Sequence, residues 1–170
     1  MKGAFVVFDR DGTLIRHVHH LTDVGDVELF GDVPKGLRAI SEKGFKLGIV
    51  TNQSVVARGL STLEQVQEIH NLILQELSKQ DVTIDFILTC PHMTEDNCAC
   101  RKPRVALGER AIAEFNLQPN LSYMVGDQMS DMEFGKNLGL KTIGVRNPAL
   151  KGVNVDYYCE DILGVVDLLL

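Results

Sequence analysis

The sequence predicts an α/β fold: a doubly wound, mainly parallel sheet with helices on both faces. Three observations carry this expectation. Uninterrupted apolar runs of strand length recur along the chain, as strands buried on both faces require. Amphipathic helical patterns lie between them, the alternation expected of parallel strands joined by crossover helices. No repeat, low-complexity stretch or Pro/Ser-rich linker interrupts the 170 residues, so 1–170 reads as one Rossmann-like domain.

The elements follow in order. Ala4 to Phe8 is an apolar strand, and residues 45–51, 84–89, 122–126 and 141–145 read the same way. Pro34 suits a first helical position, Leu37 and Ile40 share a face, and Gly44 suits the stop. Ser61 with Glu64 reads as a capping box for a helix whose stripe is Leu63, Val66, Ile69, Ile73 and Leu77. Val105 to Phe115 is a third helix. Ser130 with Glu133 reads as a second capping box, with Gly139 as terminator, and 160–169 forms a last helix.

Composition narrows the function. Lys and Arg number 17 against 23 Asp and Glu, a net charge of −6, which opposes a nucleic-acid partner. No apolar run approaches the roughly 20 residues of a membrane span. The N-terminal run ends in Asp9 and Arg10 and lacks a secretory pattern, so a cytoplasmic location and no membrane partner are expected. Cys90, Cys98 and Cys100 cluster with His92, and in a reducing compartment such a cluster holds a metal more often than a disulfide. Cys159 stands apart and reads as a small, half-buried apolar residue.

Ligands of open parallel sheets bind beyond the carboxyl ends of the strands. Asp9 and Asp11 follow the first strand, Thr51 and Asn52 the second, Cys90 the third and Asp127 the fourth. In Asp9-Arg10-Asp11-Gly12-Thr13, the first carboxylate can attack phosphorus and bind a metal, and the second can serve as general acid and base. Read alone, the same segment is also a surface turn, or a calcium-loop fragment that lacks its distal Glu. Thr51-Asn52-Gln53 can hold phosphate oxygens and is equally an ordinary turn.

The spacing Cys90-x-His92-x5-Cys98-x-Cys100 supplies a complete Cys3His set for tetrahedral, closed and therefore structural zinc. Unligated thiols are the alternative. A pinned loop would hold Arg101 and Lys102 at the sheet edge. Asp127 can complete a magnesium site with Asp9, and Asp131 suits either a metal water or a helix N-terminus. His17, His19 and His20 read as a substrate-side loop or plain surface, and His70 as structural.

The four segments DRDGT, TNQ, RKP and GDxxxD resemble, in order and spacing, the haloacid dehalogenase superfamily of phosphatases, from Asp9 to about Val145. With the zinc loop, the chain is similar to the subgroup of D,D-heptose 1,7-bisphosphate and histidinol-phosphate phosphatases, which lack large caps. The short spacers Thr51–Cys90 and Lys102–Asp127 agree with that. Thr51 to Gly59 is similar to the heptose enzymes, and the five residues between His92 and Cys98 to the histidinol-phosphate enzymes. Val55 stands where the heptose enzymes have Gly, and Gln128 where a cation often follows the motif's Asp.

The resemblance implies a magnesium-dependent phosphatase with Asp9 as nucleophile and Asp11 as general acid/base. Asp9, the carbonyl of Asp11, and Asp127 would hold magnesium. Thr51 and Asn52 would bind phosphate, and Lys102 would stabilise the transferring group. Arg101, Arg58 and His19, with His17 and His20, are candidate substrate contacts. The implied reaction is removal of the C7 phosphate of D-glycero-D-manno-heptose 1,7-bisphosphate, with histidinol phosphate, an amino-alcohol ester, as the alternative. A monomer is expected. Rival readings are a phospho-accepting receiver domain, which wants Asp where Cys90 ends the third strand, and a zinc-dependent nucleic-acid module. A phosphatase of nucleic-acid ends would want a basic groove.

Overall fold

A computed structural model describes residues 2–169. Six parallel strands form one sheet: β1 Phe5–Phe8, β2 Lys46–Asn52, β3 Phe86–Cys90, β4 Tyr123–Gly126, β5 Lys141–Val145 and β6 Tyr157–Cys159. Their spatial order is β3-β2-β1-β4-β5-β6, so the chain winds outward from β1 in both directions. Five helices accompany them: α1 Val33–Glu42, α2 Leu63–Ser78, α3 Ala106–Phe115, α4 Met129–Leu138 and α5 Ile162–Leu168.

Alternation along β1 explains the two layers. Val6 and Phe8 pack with Leu37 and Ile40 of α1, Ile69 and Ile73 of α2, and Ile162 and Val165 of α5. Phe5 and Val7 face the other way, onto Leu107 and Ala111 of α3 and Phe134 of α4. Both sides of the strand are therefore dry, which is why Phe5–Phe8 is apolar throughout rather than alternating. A buried Phe such as Phe8 would cost about 3–5 kcal/mol on truncation to Ala.

The sequence-based elements survive with three corrections. The α2 capping box is formed by Thr62 and Gln65, not Ser61 and Glu64, and Leu63 is exposed while His70 takes its place in the buried face. The α4 box joins Gln128 and Asp131, not Ser130 and Glu133. β6, which carries half-buried Cys159, was not expected: it is a three-residue edge strand without an apolar run.

Parallel register sets the site. Phe8 lies beside Ile49 and Val125, and Asn52 beside Cys90, so β1 and β4 end within a residue of each other while β2 and β3 end together, three residues further along the same edge. Among the described residues no inserted domain covers that edge. The long segment between β1 and α1 instead folds back through bridges of Ile15 with Asp11 and Leu29. At the opposite edge, the carbonyl of Gly3 accepts from the Gln118 N–H at 2.8 Å. There too the Leu169 carbonyl accepts from Lys43 Nζ at 3.0 Å. No helix among the described residues is long and apolar enough to cross a membrane.

Candidate active site

The turn after β1 is wound tightly around one carbonyl. The Arg10 carbonyl accepts from the N–H groups of Leu14 at 3.0 Å and Ile15 at 3.1 Å. The Asp9 N–H donates to the Val125 carbonyl at 3.0 Å, fixing the nucleophile candidate against β4. Gly12 has φ +80°, and a Cβ there would fall on the Asp127 carboxylate. Gly126 ends β4 for a similar reason, because Asp131 folds back over it.

Three buried carboxylates meet at this edge. Ligand oxygens of Asp9, Asp127 and Asp131 lie within 4.8 Å of one another. Lys102, itself buried, donates from Nζ to Asp9 Oδ1 at 2.9 Å, Asp131 Oδ1 at 2.7 Å and the Val50 carbonyl at 2.6 Å. Asp127 receives the Thr13 hydroxyl at 3.0 Å and Gln128 Nε2 at 2.9 Å. Burial, and then the Asp131 charge, push the Asp9 carboxyl up to about 6 against the pull of Lys102. Burial, then Asp9, also raises Asp127. Burial raises Asp131, with Lys102 opposing it. For Lys102 burial works the other way, but Asp131 and Asp9 overcome it and raise its pKa. One ammonium facing three carboxylates leaves an excess of negative charge and hard oxygen donors, the chemistry that suits a small divalent cation.

Asp11 faces the same cavity, of about 370 Å³, which Asp9, Asn52, Arg101, Lys102 and Asp131 also line. Its two oxygens meet Arg10, and Gln53 Nε2 donates to Oδ2 at 2.6 Å. Asn52 and Lys102 are tied reciprocally: Lys102 N–H donates to Asn52 Oδ1 at 3.0 Å, and Asn52 Nδ2 to the Lys102 carbonyl at 3.2 Å. The Thr51 side chain is fully buried, and its hydroxyl accepts from Gln53 at 2.8 Å. His17 and His20 line the mouth. His19 stacks on His20, ring centroids 3.9 Å apart, and does not line it. Arg58 is also off the cavity wall and donates from Nε to Ser54 Oγ at 3.3 Å.

Sequence reasoning passed over Arg10, Thr13, Gln53 and His70. Arg10, Thr13 and Gln53 each lie within a segment already singled out but were given no role of their own, and His70 was read only as structural. Of the two roles open for Asp131, the helix N-terminus is the one observed, with one oxygen accepting the Gln128 N–H at 3.0 Å; the other oxygen takes Lys102, a contact that the sequence did not suggest.

Beside the cavity, donor atoms of Cys90, His92, Cys98 and Cys100 lie within 4.8 Å of one another. The Cys90–Cys100 sulfurs are 3.1 Å apart, Cys90–Cys98 3.6 Å, and His92 Nδ1 is 3.2 Å from Cys100 Sγ. Four soft donors this close could hold a metal ion. Arg101 leaves this loop toward the cavity, with one nitrogen on the His92 carbonyl at 3.1 Å.

Residues 13–145 match the family model of haloacid dehalogenase-like hydrolases. The chain is 35% identical over 144 residues to a D-glycero-beta-D-manno-heptose-1,7-bisphosphate 7-phosphatase of Haemophilus ducreyi, covering 81% of this chain and 79% of that one. It is 32% identical over 139 residues to the histidine biosynthesis bifunctional protein HisB of Legionella pneumophila, covering 81% of this chain and 40% of that one. Its fold is similar to that of the D,D-heptose 1,7-bisphosphate phosphatase from B. bronchiseptica, crystallised with magnesium and phosphate. The TM-score is 0.90, at 22% identity over 97% of both chains.

Proposed function

Because this chain belongs to the haloacid dehalogenase-like hydrolases, and is a phosphatase among them, we propose that it removes the C7 phosphate of D-glycero-D-manno-heptose 1,7-bisphosphate. The reading rests on the arrangement of Asp9, Asp11, Asp127 and Lys102 at one sheet edge.

Asp9 attacks phosphorus, and the bond from phosphorus to the sugar oxygen breaks as Asp11 protonates that oxygen. Water then attacks the aspartyl-phosphate, the bond from phosphorus to Asp9 breaks, and Asp11 takes the water's proton. Lys102 holds Asp9 Oδ1 and faces the charge that develops on the phosphoryl oxygens. Asn52 and Thr51 serve the phosphate, Asn52 from the cavity wall and Thr51 through Gln53. Magnesium, held by Asp9, Asp127 and the Asp11 carbonyl, would neutralise phosphate charge at the excess of carboxylates described above.

Cys90, His92, Cys98 and Cys100 are proposed to bind structural zinc. Tetrahedral zinc with bonds of about 2.0–2.3 Å separates its ligands by roughly 3.5–3.8 Å; Cys90 stands at 3.6 Å from both Cys98 and His92, and the two contacts of Cys100, 3.1 Å to Cys90 and 3.2 Å to His92, are tighter than that.

The rim favours a second phosphate on the substrate. Around the mouth stand Arg101, His17 and His20, whereas the carboxylates of the cavity lie with Asp9, Asp11 and Asp131 at the reacting end. Arg58 and His19 are proposed as outer contacts that engage only a large substrate. Histidinol phosphate remains the second reading, supported by the five-residue spacing after His92 and the HisB relative. We further propose that the chain acts as one catalytic domain, a cytoplasmic monomer without nucleic-acid or membrane partners.

Comparing kcat/KM for heptose 1,7-bisphosphate and histidinol phosphate, with and without magnesium, tests both readings. Preference for the heptose ester is expected, and preference for histidinol phosphate reverses the assignment. D9N should lose about 10³-fold or more in turnover. Near-normal turnover by D9N would falsify the mechanism.

A further inference from the structure

Arg10 is wholly buried and absent from the cavity wall. A guanidinium so placed is costly unless its donors are used. Nε and one terminal nitrogen present a fork to Asp11, at 3.2 Å to Oδ2 and 3.1 Å to Oδ1. The other terminal nitrogen lies 3.2 Å from Nε2 of His70. Arginine offers donors only, so Nε2 must be the acceptor, and the ring is neutral with its proton on Nδ1. Burial, and then the Arg10 charge, lower the His70 pKa to about 4, which keeps the ring in that state at neutral pH. His70 stands on the buried face of α2, which also carries Ile69 and Ile73 of the larger core cluster.

We infer that Arg10 and His70 are positioning residues that transmit the fixed packing of α2 to Asp11 and hold its carboxyl where the departing oxygen needs a proton. The inference rests on the phosphatase reading, in which Asp11 is the proton donor. Asp11 sits on a turn with its side chain one-fifth exposed. Gln53 restrains one of its oxygens and Arg10 reaches both, so without the fork the carboxyl can rotate about its own axis. Arg10 acts through Asp11 alone, since it does not reach the cavity.

That predicts a dependence on the leaving group. A nitrophenolate departs without a proton, whereas an alkoxide needs one. Heptose C7 phosphate and histidinol phosphate are both esters of primary alcohols. The test is kcat/KM of H70L, H70Q and R10K on 4-nitrophenyl phosphate and on the better of those two esters. This ratio stops at departure of the leaving group, so the later use of Asp11 as base does not enter it. H70L and R10K should lose about 10- to 100-fold on the alkyl ester and under about 3-fold on the nitrophenyl ester. H70Q, which keeps an acceptor for Arg10, should stay near wild type on both. R10K keeps the charge without the fork, and it carries the test if H70L does not fold. Equal losses on both esters, or none, overturn the inference while leaving the phosphatase reading intact. A wild-type chain inactive on every ester overturns both.

Discussion

Three carboxylates around one ammonium hold Asp9, the proposed nucleophile, at a cost in stability. Its pKa of about 6 lies above the ordinary 3.8, so the folded chain prefers the protonated form. The sign follows: this contribution is fully present below pH 3.8 and lost as the pH rises through about 6. D9N imitates the protonated carboxyl. In magnesium-free buffer, D9N should therefore be more stable than wild type at pH 7, by on the order of 1–3 kcal/mol, with the gap closing toward pH 4. Magnesium should raise the wild-type melting temperature and leave D9N largely unmoved. Thermal melts across that pH range check both, and a D9N less stable than wild type at pH 7 without magnesium would sink the account. Asp9, Asp127 and Lys102 were legible in the sequence because each follows a strand or a cysteine cluster that points to the same edge. Arg10 and His70 were not. They lie sixty positions apart, and a charged residue between two acids gives no sign that it is buried.

Helices α2 and α4 show where local reading fails. A serine followed three residues later by glutamate satisfies the capping pattern at 61 and again at 130, yet the cap of α2 lies one residue later and that of α4 two residues earlier. The reason differs. At α2, Thr62 also fits the pattern with Gln65, and two overlapping boxes cannot be ranked by composition. At α4, the N3 position is Asp131, whose other oxygen is engaged by Lys102 from a distant loop, so tertiary contact sets the helix start. T62A should lower stability by about 1 kcal/mol. E64A should lose about 0.5 kcal/mol or less, through the helix dipole alone. Urea unfolding separates them, and a larger loss for E64A would restore the sequence-based box. Strands β1, β2, β4 and β5 were legible because burial on two faces leaves a nearly unbroken apolar run, and β3, an edge strand buried at alternate residues, kept enough of one to be read. β6 was hidden because an edge strand of three half-exposed residues leaves no such run.

At the scale of the whole chain, the site depends on a loop outside the sheet. Lys102 and Arg101 follow the Cys90–Cys100 cluster directly, and the Asn52–Lys102 pair joins that loop to β2. Purified protein should contain zinc, and replacing Cys98 by Ser or stripping the metal should cost about 10²-fold in turnover by displacing Lys102. Added zinc should restore the stripped enzyme where magnesium alone does not. Zinc-free protein with full activity would rule this out. The net charge of −6 was legible but misleading alone: it counts acids that gather around cations and says nothing of where they stand. Gly3 and Leu169 are both tied down at the edge where the strands begin, away from the mouth. A tether or fusion partner joined at either end would therefore hang behind the molecule, and a chain fixed to a bead by either end would still turn its open cleft to the solution.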